Sequence, residues 1–196
     1  MLLEIVNRRS IRAYLPKPVP RAEIETVLQA GALAPSSKNR QTWRFTVTLG
    51  AGKEAALAAM AQGLEMEKCR PLMPESARFL RVAEQSLNIM KEAPVVIFVT
   101  NPLGRDPREP LTPEEQITEL CNVQSVGACL ENMSLQATAF GLGSLWICNT
   151  YFAYDALSEW LGGSGRLEAA MALGYAAENP PPRPRKPLEE LVEWRE

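Results

Sequence analysis

From Leu120 to Tyr154 the chain carries a single charged residue, Glu131. Just upstream, Thr112-Pro113-Glu114-Glu115 supplies an N-cap threonine, a proline at the first helical position and a glutamate placed to close a capping box. Together these predict a long helix from Pro113 to about Phe140, stopped by Gly141 and Gly143. Such a helix is apolar or neutral around most of its circumference and calls for cover on nearly every side. A membrane span is the competing outcome, but Asn122, Gln124, Ser125, Glu131, Asn132 and Gln136 make it expensive in hydrocarbon. A chain of 196 residues has limited means to bury one helix completely, so the sequence predicts a homodimer with this helix near the interface.

The other elements follow from local pattern. Pro16, Pro18 and Pro20 mark an extended lead-in to a short amphipathic helix ending at Gly31, with Ile24, Val27 and Leu28 at helical spacing. Ala34 to Gln41 reads as a loop, Thr42 to Leu49 as a strand, and Lys53 to Lys68 as a helix. After a break at Arg70 to Pro74, Glu75 to Glu92 reads as a helix with Phe79, Val82, Ala83 and Leu87 on one side. Ala93 to Thr100 is an apolar run of strand length, expected to be buried on both faces. Further strands are expected at Leu145 to Thr150 and Leu167 to Tyr175, a short helix at Asp155 to Leu161, and a closing helical segment at Leu188 to Trp194. Helices and short strands mix without a regular βαβ rhythm or internal repeat, which predicts one α+β domain over residues 1–196.

Absences bound the chemistry. The chain has no histidine, which excludes Ser-His-Asp and Cys-His nucleophile pairs, histidine-ligated metals and imidazole proton shuttling. Cys69, Cys121, Cys129 and Cys148 have the spacing of neither a zinc ribbon nor an iron–sulfur run, so no metal is expected. With 21 Lys+Arg against 23 Asp+Glu, no nucleic-acid partner is expected. Met1 to Arg12 lacks the apolar region of a signal peptide, so a reducing, cytoplasmic setting is the expectation. Leu49 to Lys53 fails as a phosphate cradle because Val47 and Glu54 stand where a glycine and a hydroxyl are needed. Gly141-Leu142-Gly143 has Trp146 in place of the third glycine of a dinucleotide fingerprint, and it leads from a helix into a strand, the reverse of the required order.

Three polar segments remain. Arg8-Arg9-Ser10-Ile11-Arg12 gathers three guanidinium groups and a hydroxyl, and Arg183-Pro184-Arg185-Lys186 places more cations near the other end. Planar guanidinium forks suit a phosphate monoester, although solvated surface charge has the same composition. The prolines from Pro180 also suit an aromatic groove or a plain extended arm. Ala34 to Trp43 is dense in hydroxyls and amides, fit either for the polar edge of a planar heterocycle or for an ordinary connector. Taken in order, Arg8 to Tyr14, the loop Ala34-Pro35-Ser36-Ser37-x-Asn39-x-Gln41-x-Trp43-Arg44-Phe45, the turn Gly141 to Trp146 and the ending Pro182 to Glu190 resemble the FMN-dependent nitroreductase family over nearly the whole chain.

That resemblance implies an α+β fold with a central mixed sheet flanked by helices, an intertwined homodimer, and two FMN sites at the interface. It implies that Arg8, Arg9 and Ser10, joined by Arg183 and Arg185, hold the phosphate and ribityl chain. Arg12 matches a basic residue near the pyrimidine edge, where its charge raises the reduction potential. Pro35, Ser36, Ser37 and Asn39 match a loop reaching in from the opposite subunit, and Ser144, Leu145 and Trp146 a segment beside the ring system. No side chain is expected to act as acid, base or nucleophile. The cofactor carries the reactivity, NADH or NADPH reduces it, and a nitroaromatic, quinone or similar electrophile is reduced next in the same pocket, in a ping-pong cycle.

The missing histidine fits that scheme. Tyr151, Phe152, Trp43 and Phe79 are candidates to line the pocket. Thr42 stands where proline is common in the family, and Asn122 where many members have aspartate; both bear on substrate and nicotinamide preference. Glu131 is expected to pair with an arginine from elsewhere in the dimer rather than to tune the cofactor. Enone reduction, reductive dehalogenation, flavin fragmentation, or flavin binding without turnover are the alternatives on the same fold.

Overall fold

A computed structural model describes residues 1–71, 75–163 and 165–196; part of the expected break, residues 72–74, lies outside the described residues. Strands β1 (Arg44–Thr48), β2 (Val95–Asn101), β3 (Gly143–Ile147) and β4 (Arg166–Gly174) form one sheet in the order β1-β2-β4-β3. Adjacent strands pair antiparallel, and among the described residues parallel pairing is confined to an isolated bridge between Ser10 and Ser144. Every residue of the central strands β2 and β4 is buried, which explains why both read as nearly unbroken apolar runs.

Helices α1 (Leu3–Asn7), α2 (Arg21–Ala32), α3 (Gly50–Cys69), α4 (Ala77–Glu92), α5 (Pro113–Ala139) and α6 (Tyr154–Trp160) complete the chain. The two-residue alternation of the strands divides the core between them. Val96, Phe98, Ala170 and Ala172 pack with α3, α4 and α6, whereas Val95, Ile97, Val99, Met171 and Leu173 pack with α2 and α5. Gly31 does not end α2; it lets α2 approach α5, since a Cβ there would lie 2.7 Å from Met133 Cγ.

Two expectations fail for non-local reasons. On α4 the buried stripe is Leu80, Ala83, Ser86, Leu87 and Met90, leaving Phe79 and Val82 exposed. Ser86 takes the inward place because Asn149 Nδ2 donates to its Oγ at 2.9 Å. The closing helix is reduced to a single 3-10 turn at Leu188–Glu190, with Leu188, Leu191 and Trp194 exposed. A segment this short holds no helix without a surface to pack on.

The capping box of α5 is formed: Glu115 N–H donates to Thr112 Oγ1 at 3.3 Å, and Thr112 N–H donates to Glu115 Oε2 at 2.8 Å. The helix ends where Gly141, at φ +70°, donates its N–H to the Thr138 carbonyl. Complete burial of α5 is not observed within the chain, because Ile117 and Leu120 are each 64% exposed. At about 100° per residue, Ile117, Leu120, Gln124 and Glu131 fall within about 60° of one another, with Ser125 about 80° from the edge of that stripe. Among the described residues, no helix is long and apolar enough to cross a membrane.

A buried charge cluster ties α5 to the sheet. The register of β2 and β4 shifts between Val99 and Thr100, leaving Glu168 as the unpaired, bulged residue. Arg166 donates to Glu168 Oε1 through Nε (3.0 Å) and Nη2 (2.7 Å), and its Nη1 lies 2.5 Å from Glu119 Oε2 on α5. Asn122 Nδ2 donates to Glu119 Oε1 at 3.4 Å, so the position that departs from the family pattern belongs to this cluster. Burial pushes the Glu168 carboxyl above the usual range, opposed by Arg166.

Candidate functional site

Backbone pairing places the N-terminal arginines. Ile11 N–H donates to the Ser144 carbonyl (3.0 Å), fixing this segment to the free edge of β3. Gly143 permits the approach, since a Cβ there would lie 2.7 Å from Ile11 Cγ1. After β4 the chain runs back along the same segment: Leu15 N–H donates to the Tyr175 carbonyl and Ala177 N–H to the Ala13 carbonyl, both at 2.9 Å. Glu178 clamps the pairing, its Oε1 accepting from the N–H groups of Arg12 and Ala13. The proline run beyond it, stiff by composition, carries Arg183 and Arg185 over Arg8, Arg9, Ser10 and Arg12. These six residues line a cleft of about 560 Å³.

Most of the charges of this cleft have no carboxylate partner among the described residues. Arg8 alone has a carboxylate, with Nε 3.3 Å from Glu131 Oε1, so the partner of Glu131 is an arginine of the same chain. Among the described residues, Arg9, Arg12, Arg183 and Arg185 have no carboxylate partner. Arg9 Nη1 donates to the carbonyls of Val6 (2.7 Å) and Arg8 (2.8 Å), and Arg12 Nη1 to that of Ser10 (3.0 Å). Carbonyls orient a guanidinium without neutralising it, and the cleft stays positive.

The predicted ring-side residues adjoin the cleft on β3. Ser144 is buried and joined to Ser10 and Ile11, while the Leu145 side chain packs into the core with α3 and α4 and its backbone is paired opposite Ala172 of β4. Trp146 is 40% exposed and rests over α5 at Gly127, where a Cβ would lie 3.4 Å from its Cη2.

The serine loop lies elsewhere. Ser37 N–H donates to Ser125 Oγ on α5 (3.2 Å), and Gln41 N–H to Ser36 Oγ (2.9 Å). Pro35, Ser36 and Ser37 line an open groove of about 380 Å³ with Cys121, Gln124, Ser125 and Ala128, and Asn39 is exposed beside it. Lys38, Asn39 and Gln41 have φ of 53°, 53° and 50°, the left-handed region that disfavours side chains other than glycine and, less strongly, asparagine. Ser125 and Glu131 mark the two sites on α5; six residues apart, they are separated by about 9 Å along the axis and about 120° around it. One chain thus presents the arginine cleft and the serine loop as separate surfaces.

The candidate pocket aromatics do not meet the cleft within the chain. Tyr151 and Phe152 border a third cavity of about 330 Å³, together with Gly63, Met66 and Arg108. Phe79 reaches Phe152 with ring centroids 6.3 Å apart, and Trp43 packs against the α2–α5 side of the core. Two residues that shape the site, Glu178 and Ser125, carry no signal of that role in the sequence, because their partners lie far away along the chain.

A family model described as the Nitroreductase family matches residues 5–175. The chain belongs to the nitroreductase family. This nitroreductase is 28% identical to a Thermus thermophilus protein named NADH dehydrogenase, over 97% of this chain and 93% of that one. Its fold matches a BluB-like flavoprotein from Clostridium difficile 630 with a TM-score of 0.78 and 25% identity, covering 100% of both chains. It also matches a nitroreductase-like protein from Desulfovibrio desulfuricans solved in complex with FMN, with a TM-score of 0.72 and 26% identity over 99% of this chain and 95% of that one. The match to the family model includes Arg8 to Arg12, the serine loop and β3, and it stops short of Arg183 and Arg185.

Proposed function

We propose that this nitroreductase binds FMN in the arginine cleft and uses NADH or NADPH to reduce a nitroaromatic, quinone or similar small electrophile. The observation that carries the reading is the convergence of Arg9, Arg12, Arg183 and Arg185 without a carboxylate among them. A phosphate monoester offers the several anionic oxygens these forks lack. In this reading Arg8, Arg9, Arg183 and Arg185 hold the phosphate, Ser10 the ribityl chain, and Arg12 sets a positive charge near the pyrimidine edge. Ser144 and Leu145 form the strand segment beside the ring, and Trp146 offers its exposed indole. Bound FMN supplies hydride transfer from nicotinamide to acceptor. The chain's own part is to bind, orient and tune, which needs no titrating side chain and suits a protein without histidine.

The same reading makes the protein a homodimer. Ile117, Leu120 and Val123 on α5, and Leu188, Leu191 and Trp194 in the tail, are exposed apolar surface of the kind a second copy covers. Pro35, Ser36, Ser37 and Asn39 of one protomer then complete the cleft of the other, a reading their separation within one chain supports. Sedimentation at micromolar concentration should give a dimer; a stable monomer overturns this part.

The cofactor is tested by dialysing the purified protein with FMN, recording the visible spectrum, then adding NADH and NADPH without oxygen. Retained flavin that bleaches is expected. Replacing both Arg183 and Arg185 with alanine should weaken FMN binding at least about a hundredfold, because each charge-assisted hydrogen bond is worth about 1.5–3 kcal/mol. A wild-type protein that retains no flavin refutes the reading, and retained flavin that does not bleach refutes the reductase half of it.

A further inference from the structure

The loop that carries the serines also carries cations for which the cofactor has no use. Between Glu25 and Glu54 the chain contains no acidic residue, while Lys38, Arg40, Arg44 and Lys53 are all basic. Lys38 and Arg40 are exposed and, among the described residues, have no carboxylate partner. Arg21, Arg78 and Arg105, also exposed, each sit on a glutamate three or four residues away, whereas exposed Arg70 and Arg81 share the unpaired state of Lys38 and Arg40 among the described residues.

The backbone under Lys38 and Arg40 is held in place. Asn39 N–H donates to the Ser36 carbonyl (2.9 Å) and Arg40 N–H to the Ser37 carbonyl (3.1 Å), inside the span pinned by Ser125 and Ser36 Oγ. Lys38 holds a left-handed φ of 53°, at a cost of about 1–2 kcal/mol for a residue with a Cβ. Its side chain adds neither burial nor an ion pair in exchange. What it contributes is a charge on a fixed loop, directly between Ser37 and Asn39.

We propose that Lys38 and Arg40 receive an anionic group on the molecule that enters over the cofactor, so that the enzyme selects a negatively charged reaction partner. The group is the 2′-phosphate of NADPH or a carboxylate on the acceptor. This rests on the FMN and dimer reading above, because the loop meets the cleft only across protomers. In that reading Arg8, Arg9, Arg183 and Arg185 are taken up by the cofactor phosphate and Arg12 by the pyrimidine edge, which leaves the loop cations as the positive charge offered to a second anion.

The test compares kcat/KM of the FMN-loaded wild type with that of a Lys38→Met/Arg40→Met variant, using NADPH against NADH and 4-nitrobenzoate against 4-nitrobenzamide. The variant should lose preference for the more charged member of at least one pair by about fivefold per cation, the effect of unit charges about 4 Å apart in water. A loss confined to the nicotinamide pair assigns the 2′-phosphate, and one confined to the nitro pair assigns the acceptor carboxylate. Unchanged ratios in both pairs overturn the proposal. If the variant does not hold FMN, the wild type alone decides: its preference should fall as salt rises, and a salt-independent ratio is equally fatal. A wild type that retains no FMN, or is bleached by neither nicotinamide, fails at the earlier step and takes this inference with it.

Discussion

Replacing Arg166 with methionine strands two buried carboxylates. Glu119 and Glu168 would lose their shared guanidinium while staying in a site where both are less than a tenth exposed. Breaking a buried ion pair from one side costs about 3–5 kcal/mol. For a chain of this length that is a fall in Tm of about 6–20 °C. The loss should depend on pH in a definite direction. Without Arg166, the Glu168 carboxyl in the folded chain holds its proton to still higher pH than in the unfolded chain, so folding takes up a proton. The stability this group allows is present below the ordinary carboxylate range and is lost as pH rises through its elevated folded value, by about 1.4 kcal/mol per pH unit. Glu168 is already raised in the wild type, so the quantity to measure is the difference between the two proteins. Denaturant or thermal unfolding of both at pH 5, 6, 7 and 8 measures it. A deficit that stays flat with pH, or is below about 1 kcal/mol at pH 7, would refute the reasoning. Replacing all three residues with apolar ones of similar size should recover most of the loss.

Thr112→Ala removes the capping box of α5 and should cost about 1 kcal/mol, or about 2–4 °C in Tm, with FMN affinity unchanged. Glu131→Gln breaks a pair whose side chains are 46% and 27% exposed, so the stability loss should stay below about 1 kcal/mol. The same change frees Arg8 from a competing carboxylate, and an FMN titration should show tighter binding; weaker binding would contradict the role given to Arg8. Gly143→Ala forces a methyl against Ile11 and should cost about 1–3 kcal/mol. It should weaken FMN binding as well, since the arginine segment hangs on that pairing, and adding Ile11→Ala, which removes both Cγ atoms, should restore part of that binding.

Local chemistry was legible in the sequence, and long-range packing was not. The cap at Thr112, the stop at Gly141 and the buried strand at Val95–Asn101 each depend on residues within a few positions, and each is found where pattern placed it. The face of α4 was misread because Asn149, far along the chain, decides that Ser86 turns inward. The Arg166 cluster draws on β4 and α5, and nothing local marks its members as partners. For the site, the gathering of Arg8 to Arg12 with Arg183 and Arg185 was legible through the family resemblance. The means of gathering them, a return of residues 175–178 along residues 12–15 under a Glu178 clamp, was not. Full cover of α5 was expected from its apolar composition, yet composition does not say whether the covering surface belongs to the same molecule.

The serine loop and the arginine cleft are separate surfaces of one chain, and in the dimer reading this determines how damage is inherited by an assembly. A chain with a ruined cleft still lends a sound loop to its neighbour, and a chain with a ruined loop still offers a sound cleft. Mixing the two defective kinds would build one whole centre from the good halves and one doubly broken centre from the bad. Two inactive preparations would yield activity on exchange of subunits, and either alone would yield none.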